Sequence, residues 1–217
     1  MATTAYWSLG WRSQSKRSGP FMRRFRRSST STPGQAAVEF GLVLPLFLLV
    51  LIAFIEFAFA FSTMNALNYV TRNVALVVAE GGNRIGTDCT ALASLERDLG
   101  DTSDRSGVVA VEVYFSDENG NMLGSQLNRY DRSGSMTCSD LDGVSRTLPY
   151  TAGSSTYLEA GRCNVLAGCG GTHTKLDTVG VRITYNYTWK TPLSALLGFL
   201  GLPTFVATQQ MQMEPVL

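Results

Sequence analysis

From Phe40 to Phe61 the chain reads FGLVLPLFLLVLIAFIEFAFAF, twenty-two residues with a single charge. A helix of that length rises roughly 33 Å, the thickness of a bilayer core. A soluble helix would carry a polar face, and none exists here for four turns, so the pattern predicts a membrane span. Beyond Ser62 the pattern turns amphipathic without a break. Met64, Leu67, Val70, Val74 and Val77 recur at spacings of three and four, while Asn65, Asn68, Arg72 and Asn73 fill the other positions. Gly81 and Gly82 supply a helix stop. Gln35 to Glu80 is therefore expected to form one helix of about 70 Å, its first half in lipid and its second half laid on a head domain.

After the glycines the rest reads as strands and turns. VVAVEVYF (Val108 to Phe115) precedes the turn signal DENGN, and in TVGVRITYNYTW the residues Val179, Val181, Ile183, Tyr185, Tyr187 and Trp189 alternate strictly. Pro192 opens a predicted short helix through Leu200, and FVATQQMQM is expected to return as a strand. Such alternation buries one sheet face, and the Met64 to Val77 stripe is the surface available to cover it. The predicted fold is α+β, a long N-terminal helix on an antiparallel sheet. The predicted organisation is a basic cytoplasmic leader (1–34), a transmembrane helix (35–61), its extracytoplasmic continuation (62–82) and a β-rich head (83–217).

Charge orients this arrangement. The formal net charge is +1, yet Arg12, Lys16, Arg17, Arg23, Arg24, Arg26 and Arg27 all precede the first acidic residue, and beyond Ser62 eleven basic residues face fifteen acidic ones. Basic residues held on the cytoplasmic side put the arm inside and everything after Ser62 outside, in the manner of a bacterial inner-membrane protein. A basic arm can bind nucleic acid, but no base-stacking or groove-reading module accompanies it and a membrane segment follows, so no nucleic-acid partner is expected. A secretory signal peptide would have a shorter apolar run and an A-x-A exit, so the segment is expected to be retained. Met1 and Met22 both remain candidate starts, Met22 giving the compact leader MRRFRRSSTSTPG.

The junction STPGQAAVEF carries the candidate chemistry. Gly34 stands immediately before Gln35, and Glu39 is the fifth residue after Gly34. A carboxylate at the edge of hydrocarbon needs a partner, and cutting after Gly34 would create an amino terminus roughly 6 Å away along the axis, in the same chain or a staggered neighbour. The alternative is a first-turn acid sitting among headgroups and favoured by the helix dipole. Pro45 either bends the helix for a neighbour or is a harmless kink. Glu56, about 24 Å along from Phe40, fits the outer lipid boundary by snorkelling or a contact with another helix.

The segment GQAAVEFGLVLPLFLLVLIAFIEFAFAF resembles the N-terminal signature of TadE-like minor pseudopilins of the Tad (tight adherence, Flp) pilus, a branch of the type IV pilin superfamily. The resemblance extends to about Glu80 and takes in Gly34, Glu39, Pro45 and the IEF step with Glu56; YNYTWKTPLSALLGFLG and FVATQQMQMEP resemble the family's closing segment. It implies cleavage after Gly34 by a prepilin peptidase, retention in the inner membrane, and later incorporation into a pilus or help in initiating one. The implied partners are the peptidase, other pilins and pseudopilins, the assembly platform and membrane lipid.

Four cysteines, Cys89, Cys138, Cys163 and Cys169, all lie on the outer side, where disulfides are favoured. Of three connectivities, the expected one closes the glycine-rich loop with Cys163 and Cys169 and leaves Cys89 for Cys138. A zinc site would use Cys163, Cys169 and His173, but neither spacing nor compartment suits one, so no metal or cofactor is expected. Asp131, Ser133 and Ser135 fit the short D-x-S-x-S loop of von Willebrand A domains, yet the preceding residues SQLNRY do not read as a buried hydrophobic strand and too few residues follow for a long doubly wound sheet, which favours a polar surface loop. No nucleophile with a base, phosphate loop or metal cluster supports an enzyme. The reading rival to a pseudopilin is a membrane-anchored extracytoplasmic binding protein with an uncleaved leader.

Overall fold

The computed structural model describes residues 33–100, 104–192, 195, 201 and 203–215. The basic arm and most of the helix expected from Pro192 to Leu200 lie outside the described residues. Helix α1 runs from Pro33 to Gly81, and the chain divides into two units, one ending at Val43 and one from Leu44 to Leu217. Among the described residues Gly34–Gly81 is long and apolar enough to cross a membrane, and its most apolar window is almost wholly unburied, unlike a core helix. The helix ends where the glycines predict. Gly82 takes φ 57°, a left-handed conformation with little cost for glycine, and its amide closes on the Val78 carbonyl at 3.0 Å.

The second unit is a two-layer α+β structure. Its sheet joins β1 (Val108–Ser116), β2 (Met122–Asp131), β5 (Thr151–Ser155), β6 (Thr178–Asn186) and β7 (Thr204–Gln212) in the order β5-β2-β1-β6-β7, every described pairing antiparallel. The short ribbon of β3 (Met136–Ser139) and β4 (Ser145–Leu148) stands apart. DENGN makes the β1–β2 hairpin, the Asp117 carboxylate accepting from the Asn119 and Asn121 amides. The D-x-S-x-S segment falls at the end of β2 and the turn into β3, with Asp131 paired to Arg129.

One sheet face is the core. Val111 and Val113 of β1, Val179, Val181, Ile183 and Tyr185 of β6, and Ala207 of β7 pack with Leu67, Val70, Val74 and Val78 of α1. The predicted helical stripe is rotated: Met64 is 44% exposed and Val77 only half buried, while Thr63, Thr71, Ala75 and Val78 turn inward. Short side chains at 71 and 75 let the helix approach the sheet, whereas a long methionine would hold it off. The opposite face carries a charged ladder in which Glu112 meets Arg129 at 2.8 Å and Arg182 at 3.2 Å across the strands. The Tyr114 ring lies over Gly180, where a Cβ would come within 2.3 Å of it.

Helix α2 (Thr87–Gly100) departs from the expected all-strand reading. Leu92, Leu95 and Leu99 lie on one helical face and are buried in the core, so tertiary burial outweighs a segment that is polar on average. Its start is capped from far along the chain: the Glu159 carboxylate accepts from the Gly86 amide at 2.8 Å and the Asp88 amide at 2.6 Å. Next to it Arg162, wholly buried, pairs with Asp88 at 2.6 Å and lies over the Tyr157 ring. Asp88 also accepts from Asn128 and Tyr130, each at 2.8 Å. Burial and then the Asp88 carboxylate push the Tyr130 hydroxyl above the ordinary phenol range, so it stays a donor. The four cysteines pair as Cys89–Cys138 and Cys163–Cys169.

Two outcomes follow for stability. Asp88→Ala strands a buried guanidinium and is expected to cost about 3–5 kcal/mol, measured by denaturant unfolding in detergent. Chain-entropy scaling makes the Cys89–Cys138 bond, which spans 49 residues, worth about 4 kcal/mol, and the six-residue Cys163–Cys169 link about 2 kcal/mol. Unfolding of Cys89→Ala/Cys138→Ala and Cys163→Ala/Cys169→Ala variants should rank them in that order.

Candidate functional site

The residues singled out from sequence fall into two places. In the first unit, Gly34 sits in the first turn of α1, exposed, and a Cβ built on it meets nothing within 4 Å. Gln35, Ala36, Ala37 and Val38 are likewise exposed. Glu39 accepts a hydrogen bond from the Gln35 side-chain amide at 3.1 Å, one turn back. First-turn amides have no helical acceptor, so unwinding there costs little. Among the described residues, Gly34 to Val38 are therefore exposed in a turn that frays easily.

In the second unit lies a feature that sequence reasoning placed only partly. Glu56 is 2% exposed, and its carboxylate faces the head's own chain. It accepts from the Tyr187 hydroxyl at 2.5 Å, from the Lys190 amide at 3.0 and 3.2 Å, and from the Thr191 amide at 2.7 Å. The sequence offered lipid headgroups or another helix as its surroundings; within the chain, the segment just after β6 supplies them. Burial and then the hydrogen bond to Glu56 raise the Tyr187 hydroxyl well above its ordinary range, so Tyr187 remains the donor and Glu56 the acceptor. Three donors around a carboxylate in a low-dielectric setting make a charge-assisted clamp.

A signal for this existed. The buried positions of α1 run Glu56, Ala60, Thr63, Leu67, Val70, Val74 and Val78, at steps of four and three, so Glu56 begins the same stripe that carries the core. Tyr187 is likewise in phase with the inward-facing residues of β6. Pro45 lies inside α1 and is exposed. Its missing amide leaves the carbonyl one turn earlier without a helical donor.

Elsewhere among the described residues, buried Arg162 Nε and Nη1, Trp189 Nε1 and Gln126 Oε1 lack a hydrogen-bond partner. His173 contacts Asp177 at 2.6 Å, and Cys163 and Cys169 are bonded to each other, which removes the two thiolates a zinc site would have needed. Among the described residues no group of three or more His, Cys, Asp or Glu side chains is placed to hold a metal. A cleft of about 310 Å³ beside the β1–β2 hairpin is lined by Phe115, Asp117, Glu118, Leu123 and Lys175, with Lys175 paired to Glu118.

Removing the clamp should be visible locally. Glu56→Ala strands the Tyr187 hydroxyl and the Lys190 and Thr191 amides, at about 1–3 kcal/mol for each unsatisfied donor. Hydrogen exchange at those two amides, followed in detergent micelles, should speed up about ten-fold or more, with Glu56→Gln intermediate.

Against known proteins, neither the curated sequences nor the solved structures return a match. A family model described as TadE-like protein matches residues 34–76, from the exposed glycine through the clamp and into the core stripe. The match covers the helical part of the chain and leaves the sheet outside it. Over those residues the long helix of this chain is thus similar to that of TadE-like proteins.

Proposed function

We propose that the chain is a minor pseudopilin of a Tad/Flp-type pilus, cut by a prepilin peptidase between Gly34 and Gln35 and taking part in pilus biogenesis. The observation that carries this reading is the junction itself. An exposed glycine stands in the fraying first turn of α1, at the residue where the TadE-like match begins, and a carboxylate follows one turn after the new terminus. A freed α-amino group has a pKa near 8 and is charged at neutral pH. Cleavage then adds a charged α-amino group at Gln35, beside the neutral side-chain amide that already contacts Glu39, to pair with Glu39 of the same chain or of a neighbouring subunit.

In this reading Gly34 is a substrate residue for another protein, Glu39 sets subunit register, and Pro45 gives neighbouring helices a bend to pack against. The basic arm holds the N-terminus in the cytoplasm, the apolar half of α1 anchors the protein in the inner membrane, and the head lies outside. Partners are the peptidase, other pilins and pseudopilins, and the assembly platform.

Intact-mass and terminal-peptide mass spectrometry, after expression with and without a cognate prepilin peptidase, tests the proposal. The expected result is a terminus at Gln35 that requires the peptidase and disappears in Gly34→Leu. An intact leader under every condition overturns it and leaves an anchored head as the reading.

A further inference from the structure

The Glu56 clamp fixes the depth of the head relative to the bilayer, provided the apolar half of α1 crosses it. From Glu56 to Phe61 the helix rises about 7.5 Å. A bilayer is about 30 Å across its hydrocarbon and 40–45 Å with both interfacial layers, so each layer is about 5–7 Å deep. On these same turns Phe57 is 70% and Phe61 57% exposed, their rings stacked at 6.5 Å, while Glu56 and Ala60 on the other side pack against the head. One side of the segment thus needs apolar cover, and the other is occupied by Tyr187, Lys190 and Thr191. The segment just after β6 therefore stands beside a stretch of helix that itself belongs at the membrane surface.

What that edge presents suits the surface. Trp189 is half buried against the buried Tyr187, at 6.3 Å between rings, with its indole N–H enclosed and only part of its ring exposed, while Thr188, Lys190 and Pro192 are exposed. At the same end of the sheet, Asp104 lies within electrostatic reach of Lys190 and accepts a hydrogen bond at its carbonyl from Tyr185. Exposed Arg105 follows it. Tryptophan, tyrosine and lysine are the residues that settle at headgroup level.

We propose that this edge, Trp189 and Lys190 with Phe57 and Phe61 beside them, is a lipid-headgroup contact on the outer leaflet, so that the head rests on the membrane surface. The occupant is phospholipid: the exposed rings take the acyl–headgroup boundary and the Lys190 ammonium takes a phosphate. The contact rests on the membrane reading of α1 and is independent of cleavage after Gly34.

The chain has three tryptophans, and Trp7→Phe/Trp11→Phe leaves Trp189 as the sole indole. This full-length variant is reconstituted into phosphatidylethanolamine/phosphatidylglycerol vesicles containing lipids brominated near the glycerol or near the chain ends, and flotation is checked in each sample. The expected result is stronger quenching by the shallow label than by the deep one, by about two-fold, with weak quenching by aqueous iodide. Flotation with strong iodide quenching and none from brominated lipid overturns the surface contact and leaves Phe57 and Phe61 to be covered by another protein chain. A protein that does not float overturns the membrane reading and this proposal with it.

Discussion

A carboxylate set into a long apolar helix must be met by donors, and the rest of this structure is arranged around how that demand is satisfied. Glu56 takes three of them from the segment just after β6, the Tyr187 hydroxyl and the Lys190 and Thr191 amides. A lone buried carboxylate would cost several kcal/mol, which couples the presence of the charge to the correct docking of the sheet. The clamp therefore acts at one end of the helix–sheet contact. At the other end the Glu214 amide reaches the Ala79 carbonyl at 3.1 Å, so the strip of α1 between them is held at both ends.

Between those ends the packing is apolar and the register is set by helix periodicity. Residues 63, 67, 70, 74 and 78 meet the inner face of β1, β6 and β7, and helix α2 covers the remainder. Because α2 is short, its stability depends on tertiary partners: the Glu159 carboxylate at its start, the Arg162–Asp88 pair beside it, and the disulfide from Cys89 to Cys138. The head is in this sense stapled from the side away from the helical clamp.

The sequence by itself determined the elements whose signal is periodic. An apolar run too long and too uniform for a soluble helix predicts the span, glycines at 81 and 82 predict the helix end, and alternation from Val179 to Tyr187 predicts strand β6 and its inward face. The DENGN turn and the return of the last strand were readable for the same reason, as local backbone chemistry or strict period. That an apolar helix begins close to Gly34 was also legible, since the apolar run follows within a few residues.

What only the tertiary structure decided depends on residues far apart in the chain. Glu56 and Tyr187 are 131 positions apart, and nothing local in either distinguishes a clamp from a headgroup contact. Helix α2 was missed because its amides are capped by Glu159, more than seventy residues on, and its leucines find their partners only once the sheet exists. The buried stripe of α1 was read a fraction of a turn off, with Met64 for Thr63 and Val77 for Val78. Spacing alone fixes that a face exists, whereas the sheet's shape decides which short side chains let the helix approach it.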